Sequence, residues 1–381
     1  MADAKIQAVA DKLKAKEGVK LKMLVGFDGF VDEVIHIVDK RQDFNTYTRV
    51  ETIAEFGGRI SEAAGLSANF EFVTQQFKLG GNGPIYANAM AESGHAELTY
   101  VGSIGNKTVH DVFLPMAEKS EAVYAVCDPG HTDAVEFNDG KLMLGKHFTL
   151  KNITWDNILK SIGGKDKFIE LIKQSDLFGM ENWTMLPYMS DIWKHVIDEV
   201  LPSLPDKEVP PVAFFDLADP AKRTKEDILE AMALIGKFEG KFRAVLGLNK
   251  KEAYEIIQVY GITPDESLDE DAQLEKITRE LYEKLNIYAL VVHPTKEAVV
   301  CYKNGFFRSH GPYCEKPVLT TGAGDNFNGG FCLALTLGLA PEDALVSGVG
   351  TSGFYVRHAK SPTCKDLIGF IEKWANGEVV D

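Results

Sequence analysis

From residue 165 onward the chain alternates two kinds of segment, with little between them. KDKFIELIKQS places apolar residues at helical spacing and leads into the short apolar run DLFGME; YMSDIWKHVIDEVL leads into PVAFFDL. KEDILEAMALIGKF precedes FRAVLGL, and KKEAYEIIQVY and DAQLEKITRELYEKL precede YALVVHP. Short apolar runs without polar alternation need cover on both faces, which the intervening helices supply. The alternation therefore predicts βαβ units and a mainly parallel sheet between helical layers. The first hundred residues follow the same logic. LKMLVG, NFEFVTQQF and AELTYVG read as strands, and PIYANAMAESG as a helix with Pro84 near its start and Gly94 at its stop.

The middle of the chain has another style. EAVYAVC is followed by DAVEFNDGKLMLG, where Asn138-Asp139-Gly140 supplies the residues of a tight β-hairpin. A hairpin inserted there is antiparallel and peripheral. A second one, EAVVCYKNGFFRSH, turns at Asn304-Gly305. With no repeats and no low-complexity linker, residues 1–381 read as a single α/β domain with an inserted β element. Composition excludes several partners. The formal net charge of −15 argues against nucleic acid and anionic membranes, whose phosphates it would repel. Five scattered cysteines form no CxxC pattern and suit small buried side chains in a reducing compartment. MADAKIQAVADKLKAKEGVK lacks the uninterrupted apolar core of a signal peptide or span, so the expected location is cytoplasmic.

Chemistry concentrates in TTGAGDNFNGGF, residues 320–331. A glycine-rich turn that opens a helix exposes backbone N–H groups and a positive dipole end to an anion. No GxxxxGK[ST] loop is present, since GSIGNKT lacks the glycine before Lys107. The dinucleotide pattern GxGxxG fails as well, because GAGDNF puts Phe327 where its third glycine belongs. An aspartate in an anion-binding turn makes sense if a hydroxyl attacks the γ-phosphorus of ATP. Asp325 then accepts the hydroxyl proton, and the Gly322–Asp325 backbone (Gly322, Ala323, Gly324, Asp325) offsets charge on the transferred group. A helix-capping role for Asp325 is the alternative.

At this point the sequence resembles the PfkB/ribokinase family of carbohydrate kinases, whose C-terminal signature has the form DTxGAGDxFxGG. Thr320, Gly322, Ala323, Gly324, Asp325, Phe327, Gly329 and Gly330 fit it, whereas Leu319 stands where the family has an aspartate. In relatives that acidic position helps form a monovalent-cation site, so potassium use is uncertain here. Three further stretches agree in order. GFDGFVDEV holds the expected sugar-binding carboxylate, Asp32 as first choice and Asp28 as second. LGGNGPIYANAMAESG resembles the first family signature and places Gly80, Gly81 and Asn82 in the sugar pocket. LNKKEAYEII contains Asn249-x-x-Glu252, the family's NxxE motif, which orders the phosphates and the water shell of Mg²⁺; a capping box has the same spacing.

The resemblance implies a ribokinase-like three-layer α/β/α fold with a small β lid built from about 33–60 and 120–147. It implies an ATP- and Mg²⁺-dependent kinase acting on a hydroxyl, primary by expectation, of a small sugar or sugar acid. A nucleoside kinase, or a non-catalytic binding protein of the same fold, is the alternative. Glu181 is the expected substrate contact at a strand end, with Asn182 as competitor. Thr320 and Asn328 are assigned to the phosphates, Gly350 and Ser352 to the adenine side. His293, Pro294 and Thr295 replace a family glycine pattern near the nucleotide. An acidic pocket entrance of Asp28, Asp32 and Glu33 argues against phosphorylated sugars unless Arg41, Arg49 or Arg59 reaches in. A homodimer through the lid is the expected assembly.

Overall fold

The computed structural model describes residues 3–379. Among them fourteen strands form: β1 (Leu21–Phe27), β2 (Phe30–Arg41), β3 (Tyr47–Arg49), β4 (Phe72–Gly80), β5 (Ala96–Gly102), β6 (Ala122–Ala125) and β7 (Gly130–Phe137) come first. They are followed by β8 (Gly140–Lys146), β9 (Leu177–Met180), β10 (Val212–Asp216), β11 (Arg243–Leu248), β12 (Ala289–Val292), β13 (Glu297–Tyr302) and β14 (Gly305–His310). Nine of them build a large sheet in the order β14-β13-β12-β11-β10-β9-β1-β5-β6. From β6 to β12 all neighbours are parallel, and the β13–β14 hairpin closes one edge in antiparallel fashion.

Side-chain alternation assigns the two faces. Ala213 and Phe215 of β10 join a core with Trp155, Phe168, Trp193, Ile256 and Ile277, from the helices between 155 and 284. Val212 and Phe214 of the same strand point the other way, to Tyr86, Met90, Phe331, Leu345 and Ile371. Every residue of β10 is buried, as a strand covered on both faces must be. The fold is the expected three-layer α/β/α arrangement.

The remaining five strands make a small separate sheet. β2 is its centre, paired with β7 in parallel and with β3 and β4 in antiparallel fashion, while β8 extends β7. Ile37, Val50, Phe56, Val135 and Phe137 form a core of its own beneath the helix Ile53–Glu62. Two segments sort differently from the sequence expectation. Residues 72–80 belong to this sheet, because β4 pairs along β2 from Phe30 to Ile37. Residues 122–125 run parallel to β5 at the edge of the large sheet. The two sheets join directly: only Asp28 and Gly29 separate β1 from β2.

On the second face the helices Ala323–Thr336 and Pro341–His358 pack in close contact. A Cβ at Gly330 would lie 2.1 Å from Thr351 Oγ1 and 2.9 Å from the Ser347 carbonyl, so the pair meets backbone to backbone. Gly330→Ala should cost at least about 1–3 kcal/mol of stability by urea unfolding, because the added carbon overpacks a contact that backbone confines. Gly369→Ala, where a Cβ meets nothing within 4 Å, should instead leave stability unchanged or raise it. Equal effects from the two would remove this account of the helix pair.

Candidate active site

The large sheet reverses its direction of growth between β1 and β9, and ligands of open α/β sheets settle at the carboxyl ends of strands beside such a point. Three adjacent strands end there in acids. Asp28 follows β1, Glu181 follows β9, and Asp216 is the last residue of β10. A fourth acid, Asp325, arrives from the helix Ala323–Thr336, in the turn after its left-handed N-cap Gly322 (φ 87°). All four are buried.

Glycines shape the ground around them. Asp28 accepts from the Gly83 N–H at 2.8 Å and from Asn182 Nδ2 at 2.8 Å. A Cβ at Gly83 would fall 2.5 Å from Asp28 Oδ1, and one at Gly81 would fall 2.7 Å from Oδ2. The Gly80-Gly81-Asn82-Gly83 turn is thus moulded on a carboxylate, and that carboxylate is spent on holding it. Asn82, first residue of the helix Asn82–Glu92, then donates from Nδ2 to Asp325 Oδ1 at 3.0 Å and lies 3.5 Å from Asp216 Oδ1. One amide ties two of the acids.

Crowding sets their protonation. Burial, then the charge of Asp28, pushes Asp325 up to about 8, against the opposing bond from Asn82. Burial raises Asp28 to about 6. Glu181 and Asp216 stand well above the ordinary carboxylate range, through burial first and then the neighbouring carboxylates. Both oxygens of Glu181 are buried without a hydrogen-bond partner.

The glycine turn divides two cavities. One, of about 290 Å³, lies under the small sheet and is lined by Asp32, Ile85, Leu319, Thr321 and Tyr355. The other, of about 460 Å³, is lined by Asn249, His293, Thr320, Ala323, Gly324 and Ser352. Gly322 can carry no side chain, since its Cβ would meet Tyr355 Oη at 3.0 Å and Ile85 Cγ2 at 3.1 Å. The N–H of Ala323 is taken by the Thr320 carbonyl at 3.1 Å, whereas those of Gly324 and Asp325 bond no backbone carbonyl. Of the four N–H groups expected to form an anion hole, that of Ala323 is thus already engaged.

The structure separates the other expected residues. Asp32 faces the first cavity, beside Lys78 of β4 and Thr132 of β7. Burial raises its carboxyl, and the Thr132 hydroxyl then Lys141 oppose the shift. Asp28, Gly81, Asn82, Glu181 and Asp325 line neither cavity, and Glu33 turns to the opposite face of the sheet, 2.8 Å from His131. The entrance is not the acidic one expected. Arg41, Arg49 and Arg59 stay away as well, engaged by Glu71, by His36 and Asn138, and by Asp39 and Glu55.

On the other side, Thr320 and Asn249 do line the second cavity, and so do His293, Pro294 and Thr295. Burial lowers His293 to about 4, leaving a neutral ring against Gly324. Asn328 is buried away from the phosphate side and donates to Asp216 at 3.2 Å. Gly350 packs on Ile371 in the core. Glu252 completes a capping box: Oε2 accepts from the Asn249 N–H at 2.8 Å, and Oε1 from the Asp219 N–H at 2.9 Å. Asp219 and Ala218 are both left-handed (φ 65° and 57°), so Glu252 fastens the strained turn that follows Asp216. Asp216 itself was missed in the sequence, although an acid closing the apolar run PVAFFDL marks the carboxyl end of a buried strand.

With this geometry in place, comparison with known proteins gives consistent matches. The family model described as prokaryotic ketohexokinase matches residues 3–374. A ketohexokinase of Haloferax volcanii is 30% identical over 353 residues, 92% of this chain and 90% of that protein. Among solved structures, a mutant of phosphofructokinase-2 from Escherichia coli superposes with a TM-score of 0.63 at 13% identity, covering 94% of this chain and 99% of that one. Ribokinase from Thermotoga maritima gives 0.57 at 18% identity, covering 93% and 99%. At these identities the two structures establish the fold.

Proposed function

The chain belongs to the prokaryotic ketohexokinase family, and from that premise we propose that it transfers the γ-phosphoryl group of ATP to a primary hydroxyl of a ketohexose, with Asp325 as general base. It is an ATP-dependent sugar kinase of the PfkB group, a phosphotransferase with an alcohol acceptor. One observation carries the reading: the turn 320–324 walls one cavity from another, with an acid of raised proton affinity at its end. Asp32 orients the acceptor's hydroxyls in the smaller cavity, Asn82 positions Asp325, and the nucleotide occupies the larger cavity. The acceptor oxygen bonds to phosphorus as its proton passes to Asp325, and the N–H groups of Gly324 and Asp325 stabilise the transferred group. The small sheet acts as the lid of this single domain, excluding water that would otherwise take the phosphoryl group.

Mg²⁺ fits the donor set. No lysine, arginine or histidine figures among the groups that shift Asp28, Glu181, Asp216 or Asp325. Asp216 would hold the ion with its waters, leaving Asp325 free as the base, and when bound the ion offsets the charge of the phosphates. Glu252, expected to reach Mg²⁺ through water, supports the site through the Asp219 backbone instead. A monovalent cation does not fit beside the anion hole. Leu319 offers no carboxylate there, and the Thr321 carbonyl already accepts the Tyr355 hydroxyl at 2.8 Å. Replacing potassium by tetramethylammonium should therefore change the rate of ADP formation less than twofold; a tenfold loss would refute that reading.

Asp325→Asn should lower single-turnover phosphoryl transfer by about 10²–10⁴-fold. Removing this acid should at the same time raise the melting temperature, increasingly from about pH 4 and in full above about pH 8. A variant that transfers at the wild-type rate would overturn the assignment of the base.

The pH profile supplies an independent test. A carboxyl raised to about 8 is protonated below that pH, so kcat/KM should climb to a plateau above it and fall as pH drops. The Asp28 charge is part of the cause, so Asp28→Asn should move the inflection to lower pH. A profile flat from pH 6 to 9 would exclude Asp325 as the titrating group.

A further inference from the structure

The strand β12 runs out into a histidine whose ring no other residue ties down. His293 is the first residue beyond β12, and its N–H bonds the Leu248 carbonyl at 2.9 Å. That bond carries the parallel pairing of β11 with β12 one residue further and fixes the histidine's backbone. The imidazole itself is held by packing. Phe327 lies against it with ring centroids 4.9 Å apart at 36°, and a Cβ at Gly324 would fall 3.1 Å from Cε1. The signature glycine at 324 thus leaves room for this ring. Among the described residues no other residue hydrogen-bonds a ring nitrogen, and the one such bond that bears on the ring is with its own backbone.

The ring is half-buried and forms part of the wall of the 460 Å³ cavity, as well as of a further cavity of about 660 Å³ that shares this wall. Its edge stands beside Gly324, whose N–H bonds no backbone carbonyl. Next along the chain Pro294 has no N–H to offer, so the end of this strand presents the ring in place of a backbone donor. Asn249 and Thr320, both neutral, line the same cavity. Lys296, the ammonium among the lining residues, is exposed and lies over the Tyr313 ring at 5.1 Å. Burial keeps the His293 ring neutral, with one N–H and one lone pair. A neutral donor can meet a phosphate oxygen without the cost of holding a cation out of water while the site is empty.

We propose that His293 is a phosphate ligand, its ring N–H bonding an oxygen of the nucleotide's terminal phosphates beside the N–H of Gly324. This rests on the kinase reading above and adds to it a residue that stands where the family has a glycine pattern. Packing against Phe327 alone would give the ring no preference among nucleotides, whereas a phosphate contact does.

Isothermal titration of the full-length enzyme with AMP-PNP and with AMP, both with Mg²⁺, tests the contact without turnover. AMP keeps the base, the ribose and the first phosphate but lacks the terminal ones. The ratio of the two affinities is independent of the fraction of protein folded, so a destabilised variant is still informative. His293→Leu keeps an apolar contact for Phe327 and removes both nitrogens. It should lower the preference for AMP-PNP over AMP by about 10–100-fold, the worth of a hydrogen bond to a charged oxygen. His293→Gln and His293→Asn place an amide nitrogen near the positions of Nε2 and Nδ1 respectively, and one of them should restore most of the preference, identifying the donating nitrogen. An unchanged ratio in His293→Leu overturns the proposal and leaves the kinase reading standing, and so does failure of both amides to exceed His293→Leu. Binding of neither nucleotide by the folded wild-type enzyme counts against the kinase reading itself.

Discussion

Four carboxylates held out of water at the ends of neighbouring elements are the constraint around which the rest is arranged. Like charges at such depth raise one another's proton affinity, and no basic side chain is among the main groups that offset it. What steadies them is neutral: the Asn82 and Asn182 amides, the Gly83 N–H, and Asn328 from below. A neutral donor fixes a carboxylate in place without lowering its basicity as far as a lysine would. That is what the base proposed above would require.

The same economy explains the glycines. At Gly81, Gly83 and Gly322 a methyl group would collide with a carboxylate oxygen or with the side chains that shape the turn. At Gly83 the smallness is a matter of space alone, whereas at Gly81 and Gly322 a left-handed backbone demands it as well. The polypeptide approaches Asp28 as closely as a ligand would, and this brings Asn82 within reach of Asp325.

The layers were legible because burial on both faces leaves an unmistakable mark. PVAFFDL has no polar face to offer, and β10 is buried throughout. The glycine turn with Asp325 was legible for a related reason, since no ordinary helix start needs that many small residues. Three things escaped. Asp216 looks like any strand end until Asn82 is seen beside it. Asn328 lies one turn from Asp325 and so was assigned its neighbour's work, but a helix turns it inward. The lysines of the acceptor cavity come from residues 78, 119, 141 and 360, and their convergence exists only in the folded chain. Sequence displays local pattern; it does not display which loops meet over a cleft.

The join between the two sheets has a mechanical corollary. The small sheet is attached to the large one through Asp28 and Gly29, and the surroundings grip that pair: Tyr100 donates to the Asp28 carbonyl at 2.6 Å, and Gly130 to that of Gly29 at 2.8 Å. A tilt of the outer sheet would bend the chain at the residue whose carboxylate shapes the turn carrying Asn82, and at Gly81 on that turn itself. The joint and the Asn82 amide therefore form one linkage, through which a movement of the small sheet would reach Asp325.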